Sequence, residues 1–495
     1  MKANPKVYEI NTAVWLYELS CNYGESLNLG NVPSEQWDKL EKLGFDYVWL
    51  MGVWKRSKAG PELFKAEPEY RNFKDHLDAI LPGWTDDDVP GSPYSIASYE
   101  PDTIIGAWVD LGKARDELRM RDMGLILDFV PNHTAPDHPW VHDHPHYYIQ
   151  GSDSDYSINQ TLFTQVVIGE ETHTIARGKD PYFPPWTDTV QLNYFNPLTR
   201  AAVIQELGRI VHYCDGIRCD MAMLVLNDIF YRNWSWLQRD NVFSVPQDEF
   251  WAEVRRSFPD LLLIAEAYWD TEWRLQKLGF DYVYDKRLYD RIRYSSPQDI
   301  LLHLKGDIDY QKKLLRFIEN HDEPRSAEIF PMNKLRASAA LFSTLPGMRL
   351  FHQGQLEGRR IKIPVQIRRV MEETPDREIG AFYEKLLAIT GDNVFSSGEW
   401  RLLDVNRAGD ESFINLVSYT WRLNGLMSII VINLSGENAQ GRVRFPVDDS
   451  AGRDIIFHDE WDGQSYIRNG NELLHGGLYV LLEGYGMHIF KVTGK

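Results

Sequence analysis

Cysteine is scarce: Cys21, Cys214 and Cys219 are the three in 495 residues. The number is odd and no CxxC spacing occurs, which excludes a disulfide framework and a zinc knuckle. No run of about 18 apolar residues is present, so no membrane span is expected. Met1-Lys2-Ala3-Asn4-Pro5 carries no apolar signal-peptide core, and a cytoplasmic location is expected from that. Positive charge is also in short supply. Lys and Arg number 53 against 72 Asp and Glu, a formal net charge of −19. That excess argues against nucleic acid or an anionic membrane as partner and is most simply a solvated surface. Aromatic rings, by contrast, are abundant, with 16 Trp and 25 Tyr. Most belong in a core, but exposed rings on an acidic protein suit an uncharged ligand with flat apolar faces, such as a sugar.

The length calls for two or three domains. Ala13–Leu19 reads as a first strand, and 34–44 as a helix that Ser34 can cap and Gly44 can end. Tyr47–Trp54 reads as a second strand. The stretch 55–93, rich in charge, Pro and Gly, reads as a long irregular insert. A helix over 106–124 leads to a strand at 125–130. Periodicity is lost over 134–194, which reads as a small inserted domain. Beyond it, helices and strands alternate: helix 198–214, strand 216–220, helix 246–258, strand 261–267, helix 271–279, strand 282–285, strand 314–319, helix 334–345, strand 348–352 and helix 378–390. Eight such alternations predict an α/β fold, a (β/α)8 TIM barrel over 1–133 and 195–391. After 391, strands expected at 412–420, 427–433, 440–445, 455–458 and 486–492 predict a C-terminal antiparallel β-sandwich over 392–495.

The strand C-termini of such a barrel open on one face. Four of them end on His133, Asp220, Glu266 and Asp322, so three carboxylates and two histidines, His133 and His321, are expected in one cleft. Arg218 lies two residues before Asp220, on the same strand face, where it can hold that carboxyl ionised. Converging carboxylates without soft metal ligands suit glycoside hydrolysis: one attacks the anomeric carbon, one protonates the leaving oxygen and a third stabilises the cationic state.

Four segments carry a family resemblance: Asp128 to His133 (DFVPNH), Gly216 to Asp220 (GIRCD), Glu266 to Trp269 (EAYW) and Phe317 to Asp322 (FIENHD). Together the chain resembles the α-amylase family of retaining glycoside hydrolases along nearly its whole length. The resemblance implies Asp220 as nucleophile, Glu266 as general acid/base and Asp322 as transition-state stabiliser. It implies that His133, Arg218 and His321 bind the sugar at the cleavage point, and that Tyr94, in a Tyr-x4-Tyr element with Tyr99, stacks beneath it. Retention implies Asp220 and Glu266 carboxyls about 5–5.5 Å apart. Trp269, three residues past Glu266, is a candidate sugar platform, and Trp186 is balanced between that and packing.

Departures from the family pattern narrow the substrate. Met223 and Leu224 stand where chain-cutting members carry Lys-His, and Val190-Gln191-Leu192-Asn193 replaces an Asp-bearing calcium element. Asn132 is the one usual calcium ligand left, so no cofactor and no metal are expected. Asn320-His321-Asp322-Glu323-Pro324-Arg325 resembles the exo-acting α-glucosidases, which favours short α-glucans or small α-glucosides. The alternatives are a transglycosidase (glucanotransferase, isomerase or phosphorylase), with apolar Met221, Met223 and Leu224 on the acceptor side, or an α-amylase of longer glucans. A non-catalytic homologue ranks last, since all three acids are kept. His133, His138, His142, His144 and His146 crowd one stretch, but their irregular, Pro-broken spacing speaks against a metal site. Cys219 points away from Asp220 as a core residue, and Asp128, inside its strand, is structural.

Overall fold

The computed structural model describes residues 2–237, 244–446 and 453–494. Eight parallel strands close into a barrel: β1 Lys6–Asn11, β2 Tyr47–Met51, β3 Gly124–Phe129, β4 Gly216–Cys219, β5 Leu262–Ala265, β6 Tyr282–Tyr284, β7 Leu314–Arg316 and β8 Met348–His352. Each pairs with its sequence neighbour, and β1 pairs with β8 in register Lys6 to Arg349. Side chains alternate along a strand, so one parity fills the interior. That parity includes Val7, Trp49, Ile126, Ile264, Tyr284, Leu315 and Leu350, which form one buried cluster. Gly216 shares it. A Cβ there would stand 2.9 Å from the Leu262 side chain, so the barrel closes only around a glycine.

The first strand lies one element earlier than expected. Residues 13–19 belong to a helix, Thr12–Tyr23, and the strand is Lys6–Asn11. Thr12, Leu16 and Leu19 are buried at helical spacing, whereas KVYEIN carries Glu9 and Asn11 on its interior face and so lacks the apolar signal. The helix at 34 starts on Ser34 after Pro33 with no side-chain cap; the Ser34 hydroxyl accepts from Arg121 instead. The 55–93 insert is structured. Strand Trp54–Arg56 pairs with Ile96–Pro101, and helices Ala59–Lys65 and Glu69–Ile80 fold over it. Leu77 and Leu81 of the insert pack on Ile367 from the loop after β8.

The 134–194 segment holds a three-stranded antiparallel sheet, Gln150–Gly151, Phe163–Ile168 and Glu171–Ala176. Its return strand Val190–Gln191 pairs with His133–Thr134, which ties it to the mouth of the barrel. The C-terminal part is one eight-stranded antiparallel sheet. Three of its strands, Glu399–Asn406, Ser465–Asn469 and Leu478–Leu482, are absent from the sequence expectation; polar residues interrupt the first two. Strand Glu399–Asn406 pairs with Leu416–Leu423 through its first half and with Ala439–Arg444 through its second, so the sheet bends there. It docks on the barrel where the Trp421 indole donates to the Thr344 carbonyl at 2.7 Å. Among the described residues no helix is long and apolar enough to cross a membrane.

Candidate active site

The interior parity of the barrel delivers the site. Continuing outward along β3, β4 and β5, the inward positions after Ile126, Gly216 and Ile264 are Asp128, then Arg218 and Asp220, then Glu266. Arg218 is 1% exposed and sits at the centre. Its Nη1 donates to Asp220 Oδ1 at 2.9 Å and its Nη2 lies 2.8 Å from Glu266 Oε2. Nε donates to the Tyr284 hydroxyl at 3.2 Å, and Nη1 is 3.6 Å from Asp128. The guanidinium also lies over the rings of Trp49 and Tyr94, at 5.2 and 5.3 Å. One buried cation thus carries two buried carboxylates at once.

That arrangement sets the protonation. Burial and the neighbouring Glu266 charge push the Asp220 carboxyl up to about 8, while Arg218 pulls it back. The like charge of a second carboxylate on the same guanidinium disfavours ionised Asp220. Glu266 is furnished with donors: Met221 N–H at 2.7 Å on Oε2 and the Tyr268 hydroxyl at 2.7 Å on Oε1. Burial and Glu266 keep the Tyr268 phenol protonated, so it serves as a donor. Met221 reaches Glu266 because the chain turns sharply after Asp220, with a left-handed φ of 41°. A non-glycine residue there costs about 1–3 kcal/mol. Trp269 and Asp270, just past Glu266, are left-handed too, at 60° and 64°.

His321 and Asp322 follow β7. His321 Nε2 lies 3.1 Å from Asp322 Oδ2 and 2.8 Å from the Tyr94 hydroxyl, and the two rings stack at 5.5 Å. Its Nδ1 bonds Glu9 of β1 at 2.5 Å, and His352 of β8 stands 3.1 Å from the other oxygen of Glu9. Burial opposes a charged ring, but Asp322 and Glu9 overcome it and hold His321 up to about 10. Burial likewise opposes ionised Glu9, yet His352 and His321 keep that carboxyl well below its ordinary range. Desolvation in the cleft acts to raise Asp322, and His321 overrides it, so the carboxyl is held low. The Asp322 side chain is 43% exposed, at the open edge of the cleft.

The expected residues converge with differing intimacy. Asp220 and Glu266 share Arg218, Tyr94 and His321 are hydrogen-bonded to each other, and the Arg218 guanidinium over the Tyr94 ring joins the two sets. The fields of Asp128, Asp220 and Asp322 all reach the Tyr94 hydroxyl. His133, driven down to about 4 by burial, is a neutral ring 5.1 Å from Trp186. Trp269 lies at the rim, 36% exposed, edge-on to Tyr182 at 4.9 Å. Asp128 accepts the Gly52 N–H at 2.9 Å and braces the barrel. Cys219 is fully buried on the outer parity. Met223 and Leu224, just past the turn after Asp220, pack in the core at 0% and 1% exposure. Among the described residues the histidines of 138–146 form no group of three that could hold a metal ion. His138 caps a helix by accepting the Trp140 N–H, and His144 and His146 pack on Tyr147. Glu9, Tyr268, Trp49 and Tyr284 are additional members of the site. Strand parity, once β1 is placed, is the signal that finds Glu9.

A calcium ion implied by the family resemblance does not fit the residues present. The Gln191 amide Nε2 donates to Asn132 O at 2.8 Å, Asn132 Oδ1 at 3.0 Å and Leu192 O at 3.1 Å. A donor already faces the oxygens a cation would need.

The family model for the α-amylase catalytic domain matches residues 33–400. Among curated relatives, alpha-amylase 3 of Dictyoglomus thermophilum is 24% identical over 258 residues, covering 48% of this chain and 47% of that protein. The palatinase of Erwinia rhapontici is 26% identical over 335 residues, covering 59% of this chain and 53% of that protein. The chain spans about half the length of these relatives. Among solved structures, a maltogenic alpha-amylase of Thermotoga neapolitana superposes with a TM-score of 0.69 at 20% identity, over 99% of this chain and 98% of that one. An alpha-amylase of Lactobacillus plantarum gives 0.66 at 19%, over the same shares.

Proposed function

Because the chain belongs to the α-amylase family, we propose that it is a retaining α-glycosidase of short α-glucans or small α-glucosides, working by double displacement. The observation that carries this is the shared guanidinium: Arg218 bonds both Asp220 and Glu266 from one buried position. In the first step the Asp220 carboxylate attacks the anomeric carbon while Glu266 gives its proton to the leaving oxygen. The glycosyl–Asp220 ester forms and the aglycone leaves. In the second, Glu266, now a carboxylate, takes a proton from water, whose oxygen displaces Asp220 and restores both groups. Arg218 offsets the negative charge of the pair throughout. Asp322, kept ionised by His321, faces the positive charge that develops on the sugar. Tyr94 supplies the ring beneath it.

The test is turnover of a panel of maltose, longer maltooligosaccharides, trehalose, sucrose, isomaltose and an aryl α-glucoside, with and without phosphate, followed by NMR. The first-formed sugar is expected as the α-anomer, with water as the acceptor. A β-anomer overturns retention, transfer products in place of free sugar overturn hydrolysis, and inertness toward every α-glucoside overturns the reading.

We also propose that the protein works without calcium, the Gln191 amide taking the cation's place between 132 and 192. A chelator and excess calcium are both expected to leave Tm within about 2 °C, since a ligand that binds only the folded state raises it measurably. A rise of many degrees with calcium overturns this.

A further inference from the structure

A cavity of about 210 Å³ lies where the barrel meets the C-terminal sheet. Its walls come from the barrel helices Lys286–Tyr294, Pro297–Leu304 and Met332–Thr344 with Ser295 between the first two, and from the turns at 434–435 and 485 of the sheet. Among the described residues Lys334 is the one charged side chain that lines it, and no acid does. Lys334 forms no ion pair with any described residue. Its ammonium donates to the Arg293 carbonyl at 3.4 Å and lies 5.2 Å from the Phe330 ring. Burial lowers it from its ordinary value, and no carboxylate opposes that shift. An ammonium is a strongly hydrated point charge, so one drawn partly out of water calls for a counter-charge.

Hydroxyls line the same cavity. Ser338 is 3% exposed and stands one helical turn after Lys334, on the same face. Farther along that helix, Ser343 and Thr344 donate back to the carbonyls of Ala339 and Ala340, the common recourse of a helical hydroxyl. Ser338 makes no such bond, and its hydroxyl has no partner among the described residues. The hydroxyls of Ser295 and Tyr485 have none either. Tyr485 comes from the sheet side, on a backbone with a left-handed φ of 59°. The Ser435 hydroxyl is taken by Asn433 Oδ1 and the Glu437 carbonyl, and the remaining lining side chains are apolar. A buried hydroxyl without a partner costs free energy, so Ser338 beside an unmatched ammonium marks a donor set built for an acceptor.

We propose that this cavity is an oxyanion site, where Lys334, Ser338, Ser295 and Tyr485 hold a phosphate group between the barrel and the C-terminal sheet. A tetrahedral anion presents several acceptor oxygens to donors that converge from different elements, and charge strengthens each bond. The cavity is smaller than the ~300–1,000 Å³ pockets of drug-sized ligands, which suits a free ion or one small monoester. The catalytic carboxyls do not line it, and the site does not depend on the reading of the reaction.

The test is calorimetric titration of the full chain with inorganic phosphate and, separately, with methyl phosphate, in chloride at constant ionic strength. Native protein, Lys334→Gln and Ser338→Ala are compared, and Tm without phosphate shows that each is folded. One saturable site is expected in the native protein. It should be about tenfold weaker in Lys334→Gln and less affected in Ser338→Ala, since a charge-assisted hydrogen bond contributes more than a neutral one. Tighter binding of inorganic phosphate supports the site with the free ion as occupant; tighter binding of the ester supports it with a phosphorylated metabolite. Phosphate also stabilises proteins through exclusion from their surface. A Tm rise that never saturates and is equal in all three proteins therefore overturns the proposal, as does saturable binding that neither variant weakens, or no binding at all.

Discussion

Asp220→Asn is expected to lower turnover of every α-glucoside by about 10⁴-fold or more, the scale on which removing a covalent nucleophile acts. Asparagine keeps the size of the side chain and keeps an oxygen for Arg218 Nη1, now 2.9 Å from Oδ1, so the fold should persist. Burial and Glu266 push the Asp220 carboxyl up to about 8, and the variant has no such proton to accommodate, so Tm is expected not to fall. Glu266→Gln separates the roles. It removes the proton donor but leaves the attacking group, so an aryl glucoside, whose leaving oxygen needs little protonation, should lose far less rate than maltose. The native pH–rate profile should be bell-shaped, because the double displacement needs an ionised nucleophile and a protonated acid at once. Initial rates on both substrates from pH 4 to 10 check this. Normal turnover in Asp220→Asn, or equal losses on both substrates in Glu266→Gln, contradicts the assignment.

Asp220 and Glu266 could be placed on the cleft from sequence because each is the next inward residue past a strand whose apolar run announces it, whereas Asp322 follows its strand by six residues. GIRCD and LLLIAEA alternate with the barrel interior and then stop on a carboxylate. Glu9 was not legible for the complementary reason. KVYEIN places a charged residue in mid-strand, which looks polar, while AVWLYEL next to it looks like a strand although it buries a helical stripe. A buried charge erases the periodicity by which a strand is recognised. The insert failed differently. Its helices are short and charged, and they are held by contacts remote in sequence, Arg369 to Asp88 and Ile367 to Leu77 and Leu81. Met223 and Leu224 show what sequence adjacency leaves open. Residues three and four past Asp220 lie in the core after the backbone turns through left-handed Met221. What makes the cleft a single site is the set of tertiary bridges across strands: Arg218 between β4 and β5, and Glu9 between β7 and β8.

Those bridges make Glu9 the second residue whose loss should be large. Glu9→Gln keeps the size and one acceptor oxygen but deletes the buried charge facing His321. Removing one member of a buried ion pair costs about 3–5 kcal/mol, because the partner is left charged without compensation or must deprotonate. The pH dependence identifies the cause. His321 is raised from 6.5 to about 10 in the folded protein, so its contribution to stability is complete below about pH 6.5 and is lost as pH rises toward 10. Glu9 is lowered from 4.5, so its contribution is complete above about pH 4.5 and is lost as pH falls below that. The gap in unfolding free energy between the native protein and Glu9→Gln should therefore be widest between about pH 4.5 and 6.5 and should narrow at pH 9. A merely packed carboxyl would leave the gap unchanged. Activity should fall with it, since an uncharged His321 no longer holds Asp322 ionised or fixes the Tyr94 hydroxyl. Denaturant titrations at pH 6 and pH 9, paired with kcat at both, decide it: a gap equal at the two pH values means that Glu9 does not act through the charge on His321.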